Sequence, residues 1–399
     1  MKPTLKIAIV VGFIVAALAI VFLAKSGKKE EGGGGKVGSG SASVKDNPKP
    51  SSQTTIDVMY STEKKEWIEA VTADFAKAHP EINVKLVGKG SIDAAQLILD
   101  GNATPTVWSP ADTMAMNLLA SDWQTKNHQD LIATGGDDAP QALLLTPLVF
   151  VCWEDRANAL LKASGGSISW KAINQAVTSP KGWLAVGGQG KWGFVKLGHT
   201  DPTKSNSGLE ALYLMALEFT GKPKIVVEDL LDSKLQDFIK GTEKGVTKFE
   251  SSTGTFMTDM VRFGPSKYDI AVVYESLAIS ELANAAGRWG KLKVYYPSTT
   301  IWSDHPIALL NGSWVTPDQK TAARQYISFL RTKEAQRRAL EFGFRPADTS
   351  IPVVSADAQN PFTRLASEGI TVDVPTAATP PDGIVVRNIM MMWQRLVQQ

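Results

Sequence analysis

Leu143 to Trp153 reads LLLTPLVFVCW, and further along Tyr268 to Ser276 reads YDIAVVYES. Each is a nearly unbroken apolar run, the pattern of a strand buried on both faces rather than one with a wet side. Two such strands divide the body of the chain into thirds, as they do when a chain crosses twice between two α/β lobes. Upstream, Thr55 to Ser61 (TIDVMYS) is apolar and β-branched. Lys64 to His79 then sets Trp67, Ile68, Val71, Phe75 and Ala78 at helical spacing until Pro80 stops the helix. The same strand-to-helix unit recurs as Asn83 to Val87 with Ser91 to Leu99, and as Thr106 to Trp108 with Ala111 to Trp123. Three such units in a row predict a parallel sheet with helices on both faces.

Downstream, Arg156 to Ala163 and Trp170 to Val177 read as helices and Trp192 to Leu197 as extended. Helices follow at Gly208 to Phe219 and Val227 to Lys240. After the second apolar strand come a helix (Leu277 to Ala286), a strand (Lys291 to Tyr296), apolar Pro306 to Leu310, and one long helix from Pro317 to about Phe342. A Pro-rich stretch, Pro375 to Pro381, precedes a closing helix, Ile384 to Val397, with Ile389, Met392 and Leu396 on one face. The expected fold class is α/β: two doubly wound Rossmann-like lobes joined by two crossover strands. Lobe 1 takes residues 54–150 and 272–345, lobe 2 takes 151–271, and 346–399 form a C-terminal extension.

The first 54 residues differ in kind. Ile7 to Ala24 is an uncharged apolar stretch of 18 residues flanked by Lys2, Lys6, Lys25, Lys28 and Lys29, just long enough to cross a bilayer. Ala17-Leu18-Ala19 offers a small-residue cleavage signal, but inside the run, so residues 1–24 read as an uncleaved anchor in preference to a cleaved signal peptide. Residues 25–53, rich in Gly, Ser, Lys and Pro, read as a flexible linker. Eight lysines here against Glu30, Glu31 and Asp46 leave 34 bases and 37 acids elsewhere, so the body is slightly acidic. Nucleic-acid binders show the opposite balance, and that class is set aside. The single cysteine, Cys152, lies in an apolar run and reads as a buried hydrophobe.

Three further stretches carry a resemblance: GHTDPTKSNSGLEAL (Gly198 to Leu212), YPSTTIWSDHPIALLNGSW (Tyr296 to Trp314) and EFGFRP (Glu341 to Pro346). With the strand order, they resemble the type II periplasmic binding fold, whose members include molybdate and sulfate binders. They resemble more closely a bacterial extracellular solute-binding subfamily often found beside von Willebrand A-type proteins. The resemblance spans roughly residues 54–348. It implies an extracytoplasmic binding protein that is not an enzyme and needs no cofactor. It also implies a membrane permease or a von Willebrand A-type membrane protein as partner.

In doubly wound sheets, ligands sit beyond the carboxyl ends of the strands. Here those turns hold Ser61 and Thr62, Gly88 to Ser91, Ser109 to Asp112, and Thr200 to Gly208, including Asp201, Ser205 and Ser207. Hydroxyls, exposed N–H groups and helix N-termini together suit a small anion. Each such residue is equally an ordinary helix N-cap when taken alone, and only the recurrence at one sheet edge favours a site. The resemblance implies ligand contact at Ser61, Thr62, Ser91, Ser109, Ser207, Tyr274 and Glu275. Asp201 either holds the Thr203 to Ser205 turn or meets a cationic or hydroxylated ligand group. Ser207→Ala is expected to weaken binding with little change in melting temperature.

Eleven tryptophans raise a sugar-stacking alternative, with Trp108, Trp183, Trp192 and Trp302 nearest the loops. A membrane-tethered sensor or scaffold on the same fold is another reading, and a hydrolase a third. Gly188, Gly190 and Gly193 form a GxGxxG, but extended chain follows where a dinucleotide loop needs a helix. His79, His128, His199 and His305 are dispersed, outside any metal-ligand spacing. The sequence has no GxSxG elbow and no phosphate-binding GxxxxGK[ST].

Overall fold

Thr54–Tyr60 (β1) leads into Lys65–Ala78 (α1), which buries Trp67, Ile68, Val71 and Phe75 and ends where the residue before Pro80 leaves the α region. Ile82–Gly88 (β2), Ser91–Leu99 (α2), Val107–Ser109 (β3) and Thr113–Asn127 (α3) complete the three repeated units. β1 pairs in parallel with β2 on one side and β3 on the other, Val58 lying between Leu86 and Val107. The computed structural model describes residues 53–374 and 376–398; the expected anchor, and all but the last residue of the linker, lie outside the described residues. Among the described residues no helix is long and apolar enough to cross a membrane.

Gln141–Ala142 (β4) precedes the first long apolar strand, Leu144–Trp153 (β5), in which Leu145 alone is not fully buried. Next come Glu154–Ala163 (α4), Trp170–Thr178 (α5), Leu197–Gly198 (β6), Asn206–Thr220 (α6), Ser233–Glu243 (α7) and Thr253–Phe263 (α8). Ile270–Tyr274 (β7), buried throughout, is the second long apolar run. It is followed by Glu275–Ala285 (α9), Leu292–Tyr295 (β8), Thr299–Ser303 (β9) and Pro306–Leu309 (β10). Pro317–Leu330 (α10), Lys333–Arg338 (α11), Arg345–Pro346 (β11), Pro361–Arg364 (α12), Thr376–Ala378 (β12) and Gly383–Val397 (α13) end the chain. α13 buries Val386, Ile389 and Trp393 against α3, α6 and α7.

Two sheets result. One has the order β2-β1-β3-β10-β4, the other β12-β9-β5-β7-β6, with β8 and β11 also on β5. Both are mixed, not purely parallel as expected: β10 runs antiparallel to β3 and β4, and β5 antiparallel to β7, β8, β9 and β11. Apolar runs announce strands but carry no direction, and antiparallel pairing is the commoner choice. β8 and β9, within the stretch expected to rejoin the first sheet, pair with β5 in the second. The chain returns only at β10, so Asp304 and His305 alone link β9 to β10.

Two other expectations need correction. The long helix from Pro317 breaks after Leu330, because Thr332 caps a new helix by accepting from the Ala335 N–H. The extended segment at Trp192 to Leu197 shrinks to β6, and Gly190 to Trp192 form a short 3₁₀ turn.

Candidate ligand site between the two sheets

The carboxyl ends of β1, β2 and β3 meet those of β6, β7 and β9, and the amino end of β10 closes the junction. Thr62, Glu63, Gly90, Ser91 and Ala111 from the first set, and Ser205, Asn206, Ser252, Thr253 and Tyr274 from the second, line one hollow of about 10 Å³. That is room for about one water. The walls touch: a Cβ on Gly90 would stand 3.0 Å from the Lys204 carbonyl oxygen, which is why glycine serves there. A second hollow of about 310 Å³ shares Thr62, Glu63 and Ser252 with the first and opens past Ser276, Trp67 and Phe344.

Of the nine residues expected at the site, Thr62, Ser91, Ser205 and Tyr274 line the small hollow. Ser61 does not line it: its N–H donates to the Ser109 carbonyl at 3.0 Å, and its buried hydroxyl is without a partner. Ser91 and Ser205 are not side-chain caps. The Ser91 hydroxyl accepts from the Ala111 N–H at 2.9 Å, joining two turns, and Ser205 sits at the N-cap of α6 without a cap bond.

Four expected contacts turn out to be committed within the chain. Glu275 is fully buried facing Arg345, which donates from Nε and Nη2 at 2.8 and 2.7 Å, and it also accepts from the Tyr296 hydroxyl. It lies one residue beyond the end of β7, and the alternation of a strand does not extend into the helix that begins there. Asp201 holds its own turn, accepting from the Thr203 N–H at 2.8 Å and from the Thr203 hydroxyl at 2.6 Å. The Ser207 hydroxyl is buried between Thr200 and Thr253 hydroxyls, at 2.8 and 2.7 Å. Ser109 accepts from Lys64 through both its carbonyl and its hydroxyl.

The charged groups at the junction escaped the sequence reading. Lys64 is fully buried, and its Nζ donates to Ser109 O, Ser109 Oγ and Pro110 O at 2.8, 3.0 and 2.8 Å, which uses its three N–H groups. Burial pulls this ammonium down to about 7, with Glu63 and Asp304 pulling back. Asp112 caps α3 through the Ala115 N–H at 3.0 Å, and Asp304 accepts from the Thr113 N–H and hydroxyl. Glu210 accepts from Asn206 Nδ2 at 3.1 Å and from the Ser303 hydroxyl at 2.6 Å. The Asp112 and Glu210 carboxyls lie within hydrogen-bonding reach of each other, so a proton is shared between them. Burial raises Asp112 to about 6, and burial with the neighbouring Asp112 raises Glu210 well above the carboxylate range. His305, in the left-handed region at φ 41, is held neutral by burial and by Lys64. Two acids, Glu63 and Asp304, thus act on one buried lysine, and a second acidic pair, Asp112 and Glu210, lies close by.

The tryptophan expectation also changes. Trp108 and Trp183 are fully buried, Trp192 lies under the Arg156 guanidinium at 4.1 Å, and Trp302 lies beside Arg345 at 5.5 Å. None lines either hollow. Among the described residues no group of three or more His, Cys, Asp or Glu side chains is placed to hold a metal ion.

Residues 56–345 match the model of the bacterial extracellular solute-binding protein family. A search of curated protein sequences finds no match. Among solved structures, AfuA from Actinobacillus pleuropneumoniae, described as a periplasmic binding protein with fructose-6-phosphate bound, superposes with a TM-score of 0.58 at 15% identity. That match covers 86% of this chain and 99% of AfuA. Iron-bound HitA from Pseudomonas aeruginosa gives 0.58 at 15% identity, covering 86% and 98%. The sulfate-binding protein SubI from Mycobacterium tuberculosis gives 0.53 at 16%, covering 82% and 93%. At such identities these likenesses speak for the fold, a mixed α/β periplasmic binding protein fold with two sheets. The family model covers well over half of the chain, and the chain belongs to the bacterial extracellular solute-binding protein family.

Proposed function

We propose that this chain captures a small polar solute between two lobes outside the cytoplasm and delivers it to a membrane transporter. One observation carries the reading: hydroxyl-bearing turns from both sheets line a common hollow at the ends of their strands. A solute that touches both walls binds the closed arrangement better than an open one and so drives closure, with the Asp304-His305 link and the chain at Leu143 as hinges. Family membership supports an extracytoplasmic location, and the likeness to sulfate-, iron- and sugar-phosphate-holding proteins supports small solutes. The apolar run at 7–24 would keep the protein at the membrane. A flexible spacer of the length expected for residues 25–53 would reach roughly 30 Å, enough to meet a permease or a von Willebrand A-type neighbour. That tether favours a second reading, a sensor or scaffold that engages such a partner directly.

Thermal melts against molybdate, tungstate, sulfate, phosphate, sugars, amino acids, amines and short peptides separate the two. A solute at a hundredfold excess over its Kd adds about 2.7 kcal/mol to stability. At least one member is expected to raise the melting temperature, and Thr62→Trp, which fills the shared wall of both hollows, is expected to abolish the rise. A panel without effect defeats the capture reading in favour of the scaffold.

A further inference from the structure

Two lobes that open about the Asp304-His305 link have to slide past any element packed on both. α13 is packed on both. Its root lies on the second sheet, where β12 pairs in parallel with β9 and the Tyr213 hydroxyl of α6 donates to the Thr379 carbonyl at 2.8 Å. From there α13 runs against α3, which follows β3 of the first sheet, as well as against α6 and α7. Val386, Ile389 and Trp393 are fully buried, in one continuous apolar core with Leu119 of α3 and Leu212 of α6.

The seam on α3 is closely fitted. Asn117 Nδ2 donates to the Pro381 carbonyl at 3.2 Å, and Asp122 accepts from Arg387 Nε at 2.9 Å and from its Nη2. A Cβ on Gly383 would stand 2.5 Å from the Asn117 carbonyl oxygen and 2.7 Å from Ser121 Cβ, so only glycine lets the first turn of α13 lie directly on α3. On the other side, Trp393 meets the Phe249 ring edge-on at 5.0 Å. Close-packed apolar surfaces do not shear freely, so rotation of the lobes breaks one seam or the other. The root in β12 keeps α13 with the second lobe, and the α3 seam is the one to part. Its seat is incomplete in two respects. Trp393 Nε1 is buried and finds no partner among the described residues, and the Arg387–Asp122 pair is partly exposed and therefore weak. With α13 seated, the hollow between the lobes has a volume of only about 10 Å³.

We propose that α13 is a strap that holds the two lobes shut, and that solute enters and leaves when α13 lifts from α3. This rests on the capture reading and adds what controls it. The test reads opening without any solute. Ser205→Cys places a thiol on the wall of the small hollow, where a maleimide reaches it only when the walls part. The native Cys152, fully buried in β5, is reached only when the second sheet unfolds. Both labelling rates are followed in the full chain by mass spectrometry at fixed pH. Gly383→Leu wedges α13 off α3 while Asp382 still caps the helix through the Val385 N–H. It is expected to raise the rate at position 205 by about tenfold or more and to leave Cys152 unchanged. Asp122→Arg sets like charges across the seam and is expected to raise the rate about threefold, and adding Arg387→Asp to restore it. Rates at the two thiols that rise in step overturn the proposal, since α13 then only supports the fold. A rate at position 205 unmoved by Gly383→Leu overturns it as well. Either result leaves capture itself to the solute panel, and a panel without effect leaves these rates unchanged.

Discussion

Glu275 and Glu210 are two fully buried glutamates near the junction of the same two sheets, and they differ in what the chain provides for them. Glu275 faces a bidentate guanidinium and a tyrosine hydroxyl, so donors meet its oxygens from within. Glu210 has an amide and a hydroxyl on one oxygen, a second carboxyl nearby, and no partner on the other oxygen. A buried acid with a complete donor set belongs to the architecture. One whose second oxygen meets another carboxyl is completed only by a shared proton. Residue type and burial are identical at the two positions, and only the hydrogen-bond account separates them.

Removing the partner of the satisfied acid should produce the largest effect. Arg345→Met leaves Glu275 buried with Tyr296 alone, and breaking a buried pair in this way costs about 3 to 5 kcal/mol. Equilibrium unfolding in urea reads this directly. A loss below about 1 kcal/mol would undo the contrast and return Glu275 to the candidate ligand contacts.

The unsatisfied acid should respond in the opposite direction. A carboxyl whose folded pKa is raised contributes stability below its unfolded value near 3.8 and loses it as pH climbs through the folded value, for Asp112 about 6. Wild-type protein should therefore lose stability relative to Glu210→Gln between about pH 4 and pH 7, by about 1.4 kcal/mol for each tenfold change in proton affinity that the variant removes. Glu63, Asp304, Lys64, His305 and Tyr274 face the same pair and stay in both proteins, so the difference between melting curves isolates the carboxyl contact. Parallel pH profiles would mean that the two acids do not share a proton.

This contrast also marks how far the sequence could be read. Strand-to-helix units were legible at β1–α1 and its two successors because the apolar period changes from two to near four within a few residues. Partner and direction were not: nothing in KLKVYYPSTTIW says that β8 and β9 belong on β5. At the site, hydroxyl-rich turns stood out because small polar residues cluster there. The acids did not, since Asp112 looks like any N-cap and Glu210 sits in GLEALYLMAL as one charge in an apolar helix. A signal was nevertheless present. α6 is buried at every position from Asn206 to Leu217, and a glutamate in a helix hydrophobic all round has no water to face.

The smallest effect belongs to Ser207, one residue beyond Asn206 and on the other side of the divide. Its hydroxyl is satisfied by Thr200 and Thr253 and does not line the hollow, whereas Asn206 Oδ1 is unpartnered at it. Ser207→Ala should thus cost about 1 kcal/mol of stability and leave affinity for the captured solute unchanged, the reverse of what its place in the turn implies. Asn206→Ala is the matched control, since it removes a free acceptor. If calorimetry finds affinity lowered by Ser207→Ala with the melting temperature unmoved, hydrogen-bond completeness does not separate architecture from site here, and the distinction between Glu275 and Glu210 loses its footing.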